Sequence, residues 1–204
     1  MSPRQRKAED TDVFAALVRV MERVGPAELT LRAIAAEAGV TAAALVQRFG
    51  SKRALLLAHA RHAAATGDIG LGVPTDVRTT SPLRAIRAAV TVYARLAQSP
   101  KAAVRNLAYL HNDLADPALR RHLLRATRAT RQRYERLLAA AVAAGELRAG
   151  TDVRALARML EVTLGGSFLA WALHRHGSAD EWLRQDLDTL LAPYLARGTK
   201  RVTT

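Results

Sequence analysis

Between Thr30 and Lys52 the chain reads TLRAIAAEAGVTAAALVQRFGSK. One carboxamide, Gln47, stands there among small side chains, Thr41, Ala42 and Ala43, with the cations Arg32, Arg48 and Lys52 around them. A carboxamide can pair with an adenine edge, and an alanine methyl can touch the methyl of thymine. Guanidinium and ammonium groups bond phosphate oxygens whatever the base sequence. Those residue types, set close together, are suited to reading one face of a double helix. The small ones must share a flat face for that to work.

Two short helices and a tight turn can hold them so. Thr30 is a suitable N-cap, and Leu31, Ile34, Ala35 and Ala38 follow at helical spacing. Gly39 supplies the backbone freedom that ends a helix in a left-handed conformation. Thr41 is placed to cap a second helix built on Ala42, Ala43 and Ala44, which Leu45 and Phe49 anchor from beneath. Gly50 stops it and Ser51 caps the next. This is the helix-turn-helix pattern, whose second helix can enter a major groove. A purely structural helical hairpin has the same outline, but it has no need of a face free of large apolar groups.

The stretch resembles the DNA-binding motif of the TetR family of transcriptional regulators. The family pattern is matched in register by Thr30, Arg32, Ile34, Ala35, Ala38, Gly39, Val40, Thr41, Leu45, Phe49 and Lys52. It departs at Val46, where a tyrosine that touches phosphate is usual, and at Arg48, where a histidine is usual. The DNA-contacting set is therefore expected to be Thr30, Arg32, Thr41, Ala42, Ala43, Gln47, Arg48 and Lys52. The resemblance implies an all-α protein with an N-terminal three-helix DNA-binding domain and a larger C-terminal helical domain for ligand binding and dimerisation.

Composition fits that frame without proving it. The 204 residues can bury a real core, and the absence of cysteine excludes a disulfide framework or a thiolate metal site. The start, MSPRQRKAED, has no apolar run of the secretory kind, and no uncharged stretch is of spanning length, so a cytoplasmic protein is expected. The formal net charge of +13 suits a polyanionic partner. Its distribution is less telling: residues 1–62 hold 10 basic and 6 acidic side chains, and the remainder hold 21 and 12. Four of the 31 basic residues are lysine, the mark of a general arginine bias. The arginines along residues 120–136 are accordingly read as a solvated helix face, since Tyr134 falls on the opposite side of the helix and no aromatic shares theirs to stack a base.

Nine helices are expected along the chain. A flexible arm, residues 1–8 with Arg4, Arg6 and Lys7, precedes a helix from Glu9 to Val24. The two short helices follow, then one from Ser51 to about Thr66. The segment 67–80 is rich in glycine and turn formers and reads as a loop. Cap-proline pairs at Ser81-Pro82, Ser99-Pro100 and Asp116-Pro117 announce helices over about 82–97, 100–112 and 117–144. Asp152 is placed to cap a helix to about 175, and Ser178 with Glu181 forms a capping box for a last helix to about 196. The division expected is residues 1–50 for DNA binding, 51–197 for regulation, and a frayed tail at 198–204.

The two last helices carry more apolar surface than so small a domain can cover. Val162, Leu164, Phe168, Leu169, Trp171 and Leu173 point in nearly every direction. A homodimer through these helices is expected. Aromatics are only 4% of the chain, so Tyr93, Tyr109, Tyr134, Phe168 and Trp171, with His111 as a polar contact, are the candidates to line an effector cavity. Plain core packing with hydroxyls and indole bonded to backbone is the competing reading for each. The effector would be apolar and neutral or anionic. His59 with His62, and His174 with His176, lack a third ligand at a fitting spacing, so no metal is expected. No nucleophile–base pair, phosphate loop or dinucleotide fingerprint occurs, so neither catalysis nor a cofactor is expected. The expected function is a sequence-specific regulator, a repressor released from a palindromic operator on double-stranded DNA by a small molecule. Two alternatives stay open: a constitutive DNA-organising protein, and a helical ligand-binding protein whose helix-turn-helix is structural.

Overall fold

The structure is a computed structural model that describes residues 9–66 and 81–196. The expectations for the arm with Arg4, Arg6 and Lys7, the loop at 67–80 and the tail from 197 lie outside those residues. Nine α-helices are described: α1 Asp10–Met21, α2 Leu31–Ala38, α3 Ala42–Phe49, α4 Lys52–Thr66, α5 Pro82–Ala94, α6 Pro100–Ala115, α7 Pro117–Ala143, α8 Val153–His174 and α9 Ala179–Leu191. No strand occurs among the described residues, and Leu147 with Leu195 forms one isolated β-bridge. The fold is all-α.

The helix starts follow from their caps. The hydroxyls of Thr30, Thr41, Ser51, Ser81 and Ser99 each accept from the backbone N–H three residues on, at 3.1–3.2 Å. Asp116 accepts from Ala118 and Asp152 from Arg154 and Ala155. Ser178 and Glu181 form the expected capping box. These bonds satisfy N–H groups that have no partner inside the helix. The ends differ more. α1 stops at Met21, three residues early, because the N–H groups of both Arg23 and Val24 turn back on the Val20 carbonyl. α6 runs three residues further than expected, up to the Asp116 cap of α7. α9 tightens into a short 3-10 turn over Ala192–Tyr194, where Pro193 has no N–H to continue the α-helix.

The described residues fall into two compact units, one within Met1–Thr66 and Val104–Arg125, the other within Gly67–Ala103 and Ala126–Thr204. The core of the first is Val13, Phe14, Leu17, Val20, Leu29, Ile34, Ala35, Leu45, Leu55 and Tyr109. Arg53 adds a two-pronged ion pair to Asp116, at 2.6 and 3.1 Å. The second is centred on Ile86, Val90, Tyr134, Leu138, Leu156, Leu160, Leu164, Leu183 and Leu187, with α9 packed on both α5 and α8.

α8 is the one described helix whose length and composition would let it cross a membrane, with mean hydropathy 1.2. Its Leu156, Leu160, Leu164, Phe168 and Trp171 are instead buried in the second unit. A second set, Met159, Val162, Leu169 and Leu173, is exposed, with Val162 at 60% and Leu173 at 73%. Together with Gly166 these residues recur at alternating intervals of three and four, one continuous stripe along the helix.

Two carboxylates in the first unit are expected to shape its response to pH. The Arg53 guanidinium and backbone N–H groups hold Asp116 down at about 2, whereas burial, with Asp116 nearby, pushes Asp113 up to about 6. A raised carboxyl pKa means that the folded state holds its proton more tightly than the unfolded chain, so Asp113 penalises folding above pH 6 and ceases to do so as pH falls through 6 toward 4. The Asp116 contribution is present above its unfolded pKa and is lost only as pH falls toward 2. Asp113→Asn should therefore raise Tm at pH 7 and leave it unchanged at pH 4; a variant no more stable than the parent at pH 7 would show that the carboxyl is well solvated.

Candidate nucleic-acid interface

The two short helices are oriented by bonds at the turns between them. Gly39 ends α2 at φ 68°, a conformation strained for any side chain with a Cβ, and its N–H returns to the carbonyls of Ala35 and Ala36. Glu37 on α2 receives Arg19 at 2.6 Å and Arg23 at 2.5 Å, which ties α2 to α1. These two guanidiniums hold the Glu37 carboxyl below its ordinary pKa. Leu45, Phe14 and Ile34 form the floor under α3, and Phe49 meets Phe14 with ring centres 6.2 Å apart.

The outward side of α3 is then set by helical geometry. Ala43, Ala44, Val46, Gln47 and Arg48 are exposed, as is Thr41 at the start. Ala44 and Val46 were not among the expected contact residues; the helical period that buries Leu45 leaves both on the open side. Ala42 is half-buried and packs on the core, so its methyl offers less to a groove than that of Ala43. Thr30 and Thr41 spend an oxygen lone pair on their caps, and each hydroxyl keeps its proton to donate. Arg32 is exposed.

The other two cations have intramolecular partners. Arg48 pairs with Asp10 and lies 5.5 Å from the centre of the Phe49 ring. Lys52 donates to the carbonyls of Leu29 at 2.9 Å and Pro26 at 3.4 Å, so its ammonium closes the loop between α1 and α2. Neither contact is legible in sequence, since both join residues far apart in the chain.

The expected effector-lining residues fall in both units. Tyr109 belongs to the first unit, where its hydroxyl donates to the Val24 carbonyl at 3.0 Å and burial pushes its pKa up to about 12. His111, two residues on, is exposed. Tyr93, Tyr134, Phe168 and Trp171 belong to the second unit. Tyr93 and Phe168 meet at 5.7 Å, and burial raises the pKa of both Tyr93 and Tyr134. The Trp171 indole donates to the Gly177 carbonyl at 3.2 Å.

His59 and His62 both lie against Phe14, with ring centres 5.6 and 5.2 Å away, and His174 stacks on Trp182. No group of three or more metal-ligating side chains occurs among the described residues.

Two family signatures match the chain. Residues 13–59 match the one described as bacterial regulatory proteins, tetR family, and residues 111–187 match the tetracyclin repressor-like C-terminal domain. Curated protein sequences give no match. Among solved structures, SmeT of Stenotrophomonas maltophilia, the repressor of the multidrug efflux pump SmeDEF, is similar at 23% identity, with 94% of this chain and 93% of that one covered and a TM-score of 0.65. A TetR transcription regulator from Haloarcula marismortui gives 19% identity, 91% and 97% coverage and a TM-score of 0.73. The regulator FadR from Bacillus subtilis, solved with stearoyl-CoA, gives 15% identity, 90% and 98% coverage and a TM-score of 0.64. At these identities the likeness is one of fold.

Proposed function

The chain belongs to the TetR family of bacterial transcriptional regulators, which are DNA-binding proteins and not enzymes, and from that premise we propose a cytoplasmic repressor that binds a palindromic operator as a homodimer and is released by a small molecule. The observation that carries this reading is the outward side of α3. It sets the small groups of Thr41, Ala43 and Ala44 beside Gln47, with Val46 the one larger apolar group, and it is held by a well-packed floor. Thr30, Arg32, Thr41, Arg48 and Lys52 hold phosphates, and Gln47 reads a base, with Ala43 and, less fully, Ala42 against methyl groups. Functionally the chain divides at about residue 50, with 51–197 regulating the rest.

Dimerisation uses the open stripe of α8 together with α9. Two recognition helices related by a two-fold axis must lie roughly 34–36 Å apart to enter successive major grooves, and an effector that changes this separation releases the DNA. SmeT has been solved with triclosan, an apolar molecule, and the Bacillus relative with stearoyl-CoA, an acyl chain on an anionic head; both fit an apolar, neutral or anionic effector here, while a similar regulator from Saccharomonospora viridis has been solved with choline, a cation. A metal or other cofactor has no part in this scheme.

Selecting duplexes from a random pool is the direct test, with enrichment of an inverted repeat as the expected result. Enrichment without symmetry or sequence would favour a DNA-organising protein, and no salt-dependent binding at all would favour a purely structural motif. On the selected duplex, Gln47→Ala should cost about 1–3 kcal/mol at one base pair per half-site and relax preference there alone. Lys52→Ala should weaken all sequences alike, lower the salt slope by about one, and also lower Tm through the lost loop carbonyl bonds. Uniform loss from both variants would show that Gln47 reads no base.

A further inference from the structure

The second unit contains a groove of about 550 Å3 that none of the expected effector residues except Trp171 lines. It is bounded by the end of α5 and the turn after it, the start of α6, and the segment joining α8 to α9. The volume is ordinary for a small-molecule site. Ala94, Ala97 and the Trp171 ring give it an apolar part, and three charged side chains stand at its edges: Arg95, Arg175 and Asp180.

Three features of those side chains are not explained by folding alone. Arg175 ends α8 in the left-handed conformation, at φ 55° and ψ 32°, the one non-glycine residue with positive φ among those described. Glycine would end the helix there without strain, so the backbone carries a cost to keep this side chain in place. Arg175 bonds the Ala172 carbonyl through Nε, and no carboxylate pairs with it or with Arg95 among the described residues. Asp180 gives one oxygen to Arg184 at 2.9 Å, while its Oδ1 is buried without a hydrogen-bond partner. A buried, unpaired carboxylate oxygen loses its hydration and gains nothing in return.

We propose that this groove is the effector site, and that it takes a small monocarboxylate bearing a flat apolar body and a hydrogen-bond donor. The guanidiniums of Arg95 and Arg175 hold the carboxylate, the ring lies along Trp171 and the two alanines, and the donor satisfies Asp180. With two cations against an anion already paired to Arg184, a cationic ligand meets repulsion. The assignment rests on the reading of the protein as ligand-released.

The test uses the full chain and calorimetric titration with three probes of one shape: 4-hydroxyphenylacetate, its neutral amide, and the matching amine, tyramine. The acid should bind at least about tenfold more tightly than the amide, because charge-assisted bonds to guanidinium are roughly twice as strong as neutral ones, and the amine should not bind. Arg95→Gln and Arg175→Gly should each erase the preference of acid over amide. The second keeps the helix end unstrained, so its loss cannot be blamed on misfolding. An acid that binds no better than the amide, or a preference that survives both substitutions, would overturn the site. Fluorescence anisotropy of the bound duplex separates the two readings. If the acid binds as expected but DNA stays bound, the site stands and ligand release is wrong. If only apolar compounds blind to both substitutions release the DNA, ligand release stands and this groove is not the site.

Discussion

Gly166→Leu is expected to give a well-folded chain that no longer dimerises and has lost most of its DNA affinity. A Cβ placed at Gly166, or at its neighbour Gly165, meets nothing within 4 Å in the protomer. Glycine inside a helix costs about 1 kcal/mol against a good helix former, so the protomer alone would be better off without these two. Their exposure in the middle of the Met159, Val162, Leu169 and Leu173 stripe suits the close approach of a second helix. The alternating three-and-four spacing is the pattern that packs knobs into holes. Leucine at 166 would hold the two helices apart while leaving the protomer as stable as before or slightly more so. DNA affinity should fall by about two to four orders of magnitude, the usual gain from joining two binding modules. Light scattering at micromolar concentration with a matched DNA titration checks both halves. A variant that remains dimeric would place the interface away from this stripe.

Leu45→Ala should be the most damaging single truncation in the DNA-binding part. Leu45 is the one fully buried residue of α3, at 1% exposure. Removing such a side chain costs about 2–5 kcal/mol, against a total stability of the order of 5–15 kcal/mol. Eight residues cannot hold a helix in water without tertiary support, so the loss falls on the element that meets DNA. Binding to every duplex should collapse, in contrast to Gln47→Ala, which should leave Tm untouched and change preference at one position. Thermal melts of both variants beside duplex titrations decide it; wild-type binding by Leu45→Ala would mean that α3 is held from elsewhere.

Local chemistry was legible in the sequence and long-range chemistry was not. The caps at Thr30, Thr41, Ser51, Ser81, Ser99, Asp116, Asp152 and Ser178 need only their own next few residues, and each expected helix start is found where they put it. Gly39 was readable for the same reason, since a helix end needs a left-handed residue wherever it occurs. Helix ends were less so: the stop of α1 depends on the turn of Arg23 and Val24 back to the Val20 carbonyl, and the extra turn of α6 on the cap that follows it. The duties of Lys52 toward Leu29 and of Tyr109 toward Val24 join residues 23 and 85 apart, and no period or propensity reports such pairs. The aromatic candidates divide between the two units, because scarcity says nothing about which core a ring enters. The groove at Arg95 and Asp180 was missed because its charges come from two segments far apart in the chain, and a strained Arg175 shows only in backbone angles.

The bond from the Tyr109 hydroxyl to the Val24 carbonyl bears on how such proteins can be cut and recombined. The hydrophobic core of the first unit is finished by a residue from α6, and Asp116 adds its grip on Arg53 from further still. A headpiece severed after Thr66 would therefore lack part of its own interior. Portability of the reading head is limited accordingly: a chimera made by swapping N-terminal segments between relatives inherits a mismatched floor. Grafting only the outward residues of α3 onto an intact recipient avoids that loss.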